Sequence, residues 1–90
     1  MKAILIWVPT LRLSDLQVGQ GGTVRHVDDH SAADAIARRL RDLGFVAGET
    51  VRLVARGPFG REPLLVQVGF TRFALRAAEA ARVRVSQDPA

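Results

Sequence analysis

The amino-acid sequence predicts a small, mainly β domain in which five to six short strands form a barrel around one helix. Several short runs of apolar and β-branched residues alternate with polar ones, and turn residues separate them. Only one stretch, residues 31–44, repeats its apolar residues at helical spacing. Short strands separated by turns and interrupted by a single helix are typical of a small barrel.

Composition limits the chain to one domain. With 48% hydrophobic and 24% charged residues, a chain of 90 residues folds around one modest core. We therefore expect a single domain over residues 1–90, with its core in residues 11–86. The net charge of +4 comes mostly from arginines spread along the chain, which indicates a solvated surface rather than a nucleic-acid site. Cysteine is absent, so disulfides and thiolate chemistry are excluded.

The first ten residues are predicted to form an N-terminal arm or an edge strand. The apolar run from Ala3 to Val8 is shorter than the core of a signal peptide and far shorter than a membrane-spanning helix. We therefore expect a cytoplasmic protein that does not span the membrane.

The helix is predicted over Ala32–Leu43. Ser31 is its predicted N-cap, with Asp34 three residues further on and positioned to pair with Arg38. Gly44 is expected to end the helix at positive φ, and Gly48 to occupy the third position of a type II turn. The apolar stripe predicted to face the core comprises Ala33, Ile36, Leu40 and Leu43.

The remaining elements are predicted to be short strands joined by turns. Residues 57–63 contain two glycines and two prolines, which predicts a loop. Gly69 to Arg72 is typical of a hairpin turn. Arg76–Ala81 has strong helix formers but predicts only a single helical turn. The predicted strands are Thr23–Val27, Thr50–Arg56, Leu64–Val68, Phe73–Leu75 and Arg82–Val85, followed by a frayed tail at Ser86–Ala90.

Catalysis has little support in the sequence, because no arrangement of serine, threonine and histidine indicates an activated nucleophile. Metal binding has more support in the sequence than catalysis. His26, Asp28 and His30 lie within five residues and carry the imidazole and carboxylate ligands that suit zinc or ferrous iron. The alternative is two exposed histidines beside a helix start, where Asp28 favours the helix dipole.

An ordered set of motifs carries a resemblance to a known family. The motifs are Leu13-x-x-Leu16-x-x-Gly19, then RLRDLGF over residues 39–45 followed by Gly48, Pro58-Phe59-Gly60 with Pro63-Leu64, Ala74-Leu75-Arg76 with Glu79-Ala80, and Val83-x-Val85. From about Leu13 to Val85 the chain resembles the FeoA family, small cytoplasmic proteins of bacterial ferrous iron transport with an SH3-like barrel.

Two departures from the family pattern are evident. The family usually has Pro-Gly where this chain has Ala47-Gly48, and glycine alone still permits the turn. The family often has Pro-Leu-Gly-Asp-Pro, whereas residues 58–63 are one residue longer and carry Glu62 as their acid. The same barrel resembles the C-terminal domain of metal-dependent repressors of the diphtheria-toxin-repressor type.

The resemblance implies a non-catalytic accessory protein that binds the FeoB permease and supports or regulates iron uptake. No cofactor is required and no nucleic acid is expected to bind. The resemblance leaves open whether the chain forms a homo-oligomer. Exposed aromatic residues with neighbouring arginines are expected to bind the partner, whereas Phe45 and Phe73 are expected in the core. The alternative is a metal-responsive or nucleic-acid-linked regulator domain. The partner-binding candidates are Phe59, Arg61, Phe70 and Arg72.

Overall fold

Six strands in one antiparallel sheet and two short helices make up the computed structural model, which describes residues 10–88. The order of the strands across the sheet is β1-β6-β2-β3-β4-β5. The elements are β1 (Leu11–Arg12), a 3₁₀ turn (Leu13–Asp15), β2 (Gly21–Val27), α1 (Ala35–Asp42), β3 (Thr50–Phe59), β4 (Glu62–Val68), β5 (Thr71–Leu75), α2 (Ala77–Ala80) and β6 (Val83–Gln87).

The two edges of the sheet are β1 and β5, which do not pair with each other within residues 10–88. The mainly β fold with one principal helix is as predicted, but hydrogen bonds do not close the sheet into a complete barrel. Register shifts in β2 and β3 bend these long strands, since a bulge increases local twist. The arm predicted at residues 1–10 lies, apart from Thr10, outside the described residues.

A continuous apolar core fills the space between the sheet and α1. Phe45 is its largest side chain and is fully buried, as predicted, and its ring centroid lies 6.1 Å from that of the partly buried Phe73. The two ring planes are tilted by 52°, and their separation is within the range over which aromatic side chains attract each other. Leu64, Val66 and Val68 are all buried, which confirms that alternate residues of this strand share the core face.

Helix α1 begins three residues later than predicted, because its N-cap is Asp34 and not Ser31. Asp34 Oδ1 accepts hydrogen bonds from the amides of Ile36 and Ala37, at 3.1 Å each. The predicted pairing of Asp34 with Arg38 is wrong. The carboxylate is instead paired with Arg82, which comes just before β6. This long-range partner fixes Asp34 as the cap.

The buried face of α1 is also rotated from the predicted stripe. Ala37 and Leu40 are buried and Leu43 is partly buried. Ala33 is exposed and precedes the helix, and Ile36 is 42% exposed. Ala37 and Leu40 therefore face the core, and Ile36 lies on a side of α1 that is partly open to solvent.

Residues 57–63 form a hairpin rather than the predicted loop. Strand β3 continues to Phe59, β4 begins at Glu62, and these two residues pair across a two-residue turn. Arg56 pairs with Leu64, the next pair is Phe59 with Glu62, and the regular pairing is interrupted between them. Pro58 lies in this interruption, where its missing N–H removes no hydrogen bond between the strands. The positions of glycine and proline in the sequence cannot by themselves distinguish such a bulged hairpin from a loop.

The other turn predictions are largely confirmed. Gly44 and Gly48 have φ angles of 114° and 93°, the positive values that end α1 and complete the following turn. The predicted tail is shorter than expected, because Ser86 and Gln87 belong to β6. Within residues 10–88, no helix is long and apolar enough to cross a membrane.

Candidate functional site

The tip of the β3–β4 hairpin presents an exposed aromatic ring on a tight turn. Gly60 and Arg61 have φ angles of 61° and 67°, and positive φ at both central residues is the mark of a type I′ turn. Phe59 comes directly before this turn and is 81% exposed. A type I′ turn matches the twist of its strands, so the hairpin holds Phe59 and Arg61 in a defined position.

A shallow cleft of about 240 Å³ lies beside this tip and is lined by Phe59, Glu62, Pro63 and Arg76. The Glu62 side chain belongs to this lining, but its Oε2 atom accepts a hydrogen bond from the backbone amide of Ala77, at the start of α2. The carboxylate is therefore engaged within the protein. We name this surface, with Arg61 beside it, the tip cleft.

The β4–β5 hairpin carries the second predicted aromatic residue. Phe70 lies in the turn and is fully exposed, next to Gly69 at positive φ. Arg72 Nε donates to Gln67 Oε1 at 3.3 Å, and Gln67 Nε2 donates to Gly69 O at 3.2 Å. Through these two hydrogen bonds the Arg72 side chain stabilises the β4–β5 hairpin.

The two predicted pairs, Phe59 with Arg61 and Phe70 with Arg72, lie at opposite ends of β4. This strand runs from Glu62 to Val68, and at about 3.3 Å per residue its ends are roughly 20 Å apart. Each aromatic residue therefore lies two positions from its own arginine, but the structure does not bring the four residues into one surface.

Arg76 and Pro63 belong to the tip cleft but were missed by sequence reasoning. The β4–β5 hairpin pairs Val68 with Thr71 and continues to Leu64 with Leu75. Continued by one more residue, the same register places Pro63 beside Arg76. The hairpin turn at Gly69 was predicted from the sequence, so counting outward from it would have found this pair.

The predicted metal ligands are only partly brought together. His26 Nε2 lies 3.0 Å from Asp28 Oδ1, and Arg84 Nε donates to Asp28 Oδ2 at 2.9 Å. His30 does not join them, and its backbone amide donates to Asp34 Oδ2 at 2.8 Å. Burial raises the pKa of Asp28, but Arg84 and His26 outweigh this effect and lower the pKa below its usual value.

This arrangement does not fit a complete metal centre. Among residues 10–88, no three His, Asp or Glu side chains lie close enough to hold one ion. A structural zinc ion takes four protein ligands, and His26 with Asp28 offers two that already hydrogen-bond to each other. The described part of the chain therefore supplies at most part of a site.

Another shallow cleft, of about 210 Å³, is bordered by β2 and the turn after α1. Its lining includes Arg25, His26 and Arg41 above the buried ring of Phe45. Arg41 is held by two hydrogen bonds to Asp29, at 3.0 and 2.6 Å, and by one to Val27 O at 3.0 Å. These bonds lower the pKa of Asp29 and raise that of Arg41, and they fix the guanidinium as part of the wall.

Comparison with known proteins decides the family. The FeoA domain profile matches residues 11–87, which is most of the chain. The chain belongs to the FeoA family. Its members are associated with ferrous iron transport, and the match confirms the resemblance seen in the sequence. No curated protein matches the chain.

Solved structures give the same result. One is a crystal structure of FeoA from Stenotrophomonas maltophilia in complex with zinc, described as an SH3-domain protein and a candidate activating factor of ferrous iron transport. Its sequence is 63% identical to that of this chain. The match has a TM-score of 0.77 and covers 84% of this chain and 93% of the Stenotrophomonas protein. FeoA from Chlorobium tepidum is 31% identical, with a TM-score of 0.73 over 86% of this chain and 70% of its own.

A manganese-dependent transcriptional repressor shares the fold alone. It is 22% identical with a TM-score of 0.77, and the match covers 92% of this chain but 44% of the repressor. The SH3-like architecture expected from the resemblance is confirmed by the likeness to the FeoA structure from Stenotrophomonas maltophilia.

Proposed function

We propose that this FeoA-family chain is a non-catalytic cytoplasmic accessory protein that binds the FeoB permease and regulates ferrous iron uptake. The observation that carries the proposal is the FeoA domain match over residues 11–87 together with the 63% identical FeoA structure. The surface supports it. The described residues offer shallow clefts and exposed aromatic tips, features suited to a protein partner rather than to enclosing a small substrate.

The test is binding of the full chain to the isolated cytosolic domain of FeoB from the same organism, with and without guanine nucleotide. Saturable binding that changes with nucleotide is the expected result. The control is FeoB domain from which the nucleotide-binding segment has been removed. Absence of binding both to this domain and to full-length FeoB in detergent would refute the proposal.

The second candidate function is a metal-responsive or nucleic-acid-linked regulator, which the shared fold with the manganese-dependent repressor favours. In that case His26 and Asp28 would bind zinc or ferrous iron, with His30 or a second copy of the chain completing the ligands. Calorimetric titration of the wild type and of His26→Ala with zinc tests whether the chain binds metal through His26. Nucleic-acid binding would weaken steeply with rising salt, and no such binding is expected.

A further inference from the structure

The tip cleft carries a net positive charge. Arg61 and Arg76 are both exposed, and residues 10–88 provide no hydrogen bond or ion pair to either guanidinium. The one carboxylate in the lining, that of Glu62, is bound to the amide of Ala77. The tip cleft therefore holds two cations and one carboxylate, and neither guanidinium is paired with that carboxylate, so the surface beside Phe59 is positively charged on balance.

The backbone at this tip is held in an unusual conformation. Arg61 is the one residue other than glycine with positive φ in residues 10–88. Most residues avoid this region, and asparagine or glycine is the ordinary choice at this position of a type I′ turn. The turn geometry alone therefore does not account for an arginine at this position.

We propose that the tip cleft binds an acidic segment of a partner protein, whose carboxylates pair with Arg61 and Arg76 while an adjacent apolar side chain packs on Phe59 and Pro63. The proposal rests on the proposed function in that the partner is FeoB. Guanidinium groups pair with carboxylates through two parallel hydrogen bonds, which gives both affinity and orientation. Phe59 supplies the exposed apolar area that such a contact buries.

A protein segment is favoured over single-stranded nucleic acid because the aromatic residues do not form a track. Nucleic-acid grooves stack successive bases on neighbouring rings along a basic channel. Here Phe59 and Phe70 lie at opposite ends of β4, roughly 20 Å apart at the usual rise per residue. One ring with two cations matches one short acidic and apolar segment.

The first experiment tests the cleft without FeoB. The isotope-labelled chain is titrated by NMR with the amidated peptide Glu-Asp-Phe-Glu-Asp and, separately, with Lys-Arg-Phe-Lys-Arg. We expect the acidic peptide to shift the amides of residues 59–63 and 75–77 saturably, and the basic peptide to leave them unchanged. Equal shifts with both peptides, shifts centred on residues 69–72, or tighter binding of oligothymidylate at the same amides would each overturn the proposal.

Charge-neutral variants supply the matched control. Arg61→Gln with Arg76→Gln should weaken the acidic peptide by about tenfold or more. The control, Arg25→Gln with Arg38→Gln, removes the same net charge at two exposed arginines outside the tip cleft and should change the affinity little. Equal weakening by both double variants would mean that only overall charge matters, which contradicts a site at the tip.

The same variants separate this inference from the proposed function. If FeoB binds the wild type and the control but binds the Arg61→Gln, Arg76→Gln variant at least about tenfold more weakly, both proposals stand. If FeoB binds all three equally, the partner is correct and the tip cleft is not its docking site. If FeoB binds none of them, the proposed function fails, and the peptide titration still decides whether the cleft accepts an acidic segment.

Discussion

Asp34 is the carboxylate with the most internal partners in the described chain. It accepts from the amides of His30, Ile36 and Ala37 and pairs with Arg82, and its side chain is 6% exposed against 15% for that of Arg82. The amides of His30 and Ala37 contribute most to lowering its pKa. Burial opposes them, and Arg82 adds to them, so that the pKa lies far below the usual value.

Asp34→Asn should therefore remove stability in a pH-dependent way. An unfolded aspartate has a pKa near 3.9, and the folded pKa is lower, so the ionised side chain stabilises the fold fully above about pH 5 and progressively less as the pH falls. We expect the difference in unfolding free energy between wild type and variant to be largest near neutral pH and to shrink below about pH 4. Urea unfolding over this pH range measures it, and a constant difference would contradict the ion-pair assignment.

Gly57→Ala is expected to disturb the β3–β4 hairpin. A Cβ atom at this position would lie 2.6 Å from Pro63 Cδ and 2.7 Å from the carbonyl carbon of Glu62, so the two strands would have to separate. Overpacking of this kind costs typically about 1–3 kcal/mol. Thermal melting followed by circular dichroism measures the loss, and a melting temperature equal to that of the wild type would show that the strands are further apart than described.

At the scale of elements, α1 is stabilised by the residues that face the sheet. Leu40 is buried and Ile36 is 42% exposed on the same helix. Leu40→Ala should cost about 2–5 kcal/mol through lost packing and a residual cavity. Ile36→Ala is the matched control and should cost well under half of that. Chemical denaturation measures both, and similar losses would mean that the helix packs through the originally predicted stripe.

The tip of the β3–β4 hairpin allows a substitution that separates stability from binding. Arg61→Gly relieves the positive φ of Arg61 but adds freedom to the unfolded chain, and the two effects are each on the order of 1 kcal/mol and opposite in sign. We expect a melting temperature close to that of the wild type together with weaker binding of the acidic peptide. A large loss of stability would show that the Arg61 side chain supports the fold.

The sequence correctly predicted elements whose residue pattern is local. The prediction was wrong where a residue distant in sequence determines the bounds of an element. The strand at residues 64–68 alternates cleanly, and its core face was read correctly. The start of α1 was not, because Ser31 and Asp34 are both good caps and the choice depends on Arg82, which is 48 positions from Asp34. Phe59 was identified as a candidate, but Arg76 was missed because its place beside Pro63 depends on strand register.

The whole molecule is stabilised by its apolar core. Within residues 10–88, sixteen buried apolar residues come from every strand except the short β1, from both helices and from the segments between them. No cluster of three potential ligands occurs in residues 10–88. We therefore expect the melting curve to be the same with and without EDTA. A lower melting temperature in EDTA that zinc restores would instead show that a metal contributes to folding.

The position of β6 in the sheet has a consequence for synthesis of the chain. The strand latest in sequence, Val83–Gln87, lies between β1 and β2, which come earliest. A ribosome adds about 5–20 residues per second, so β1 and β2 are made seconds before the strand that joins them. Until then both expose unpaired backbone edges, the kind of surface that attracts chaperones or other nascent chains. The β3–β4–β5 meander, whose contacts are local, is free to form first on the ribosome.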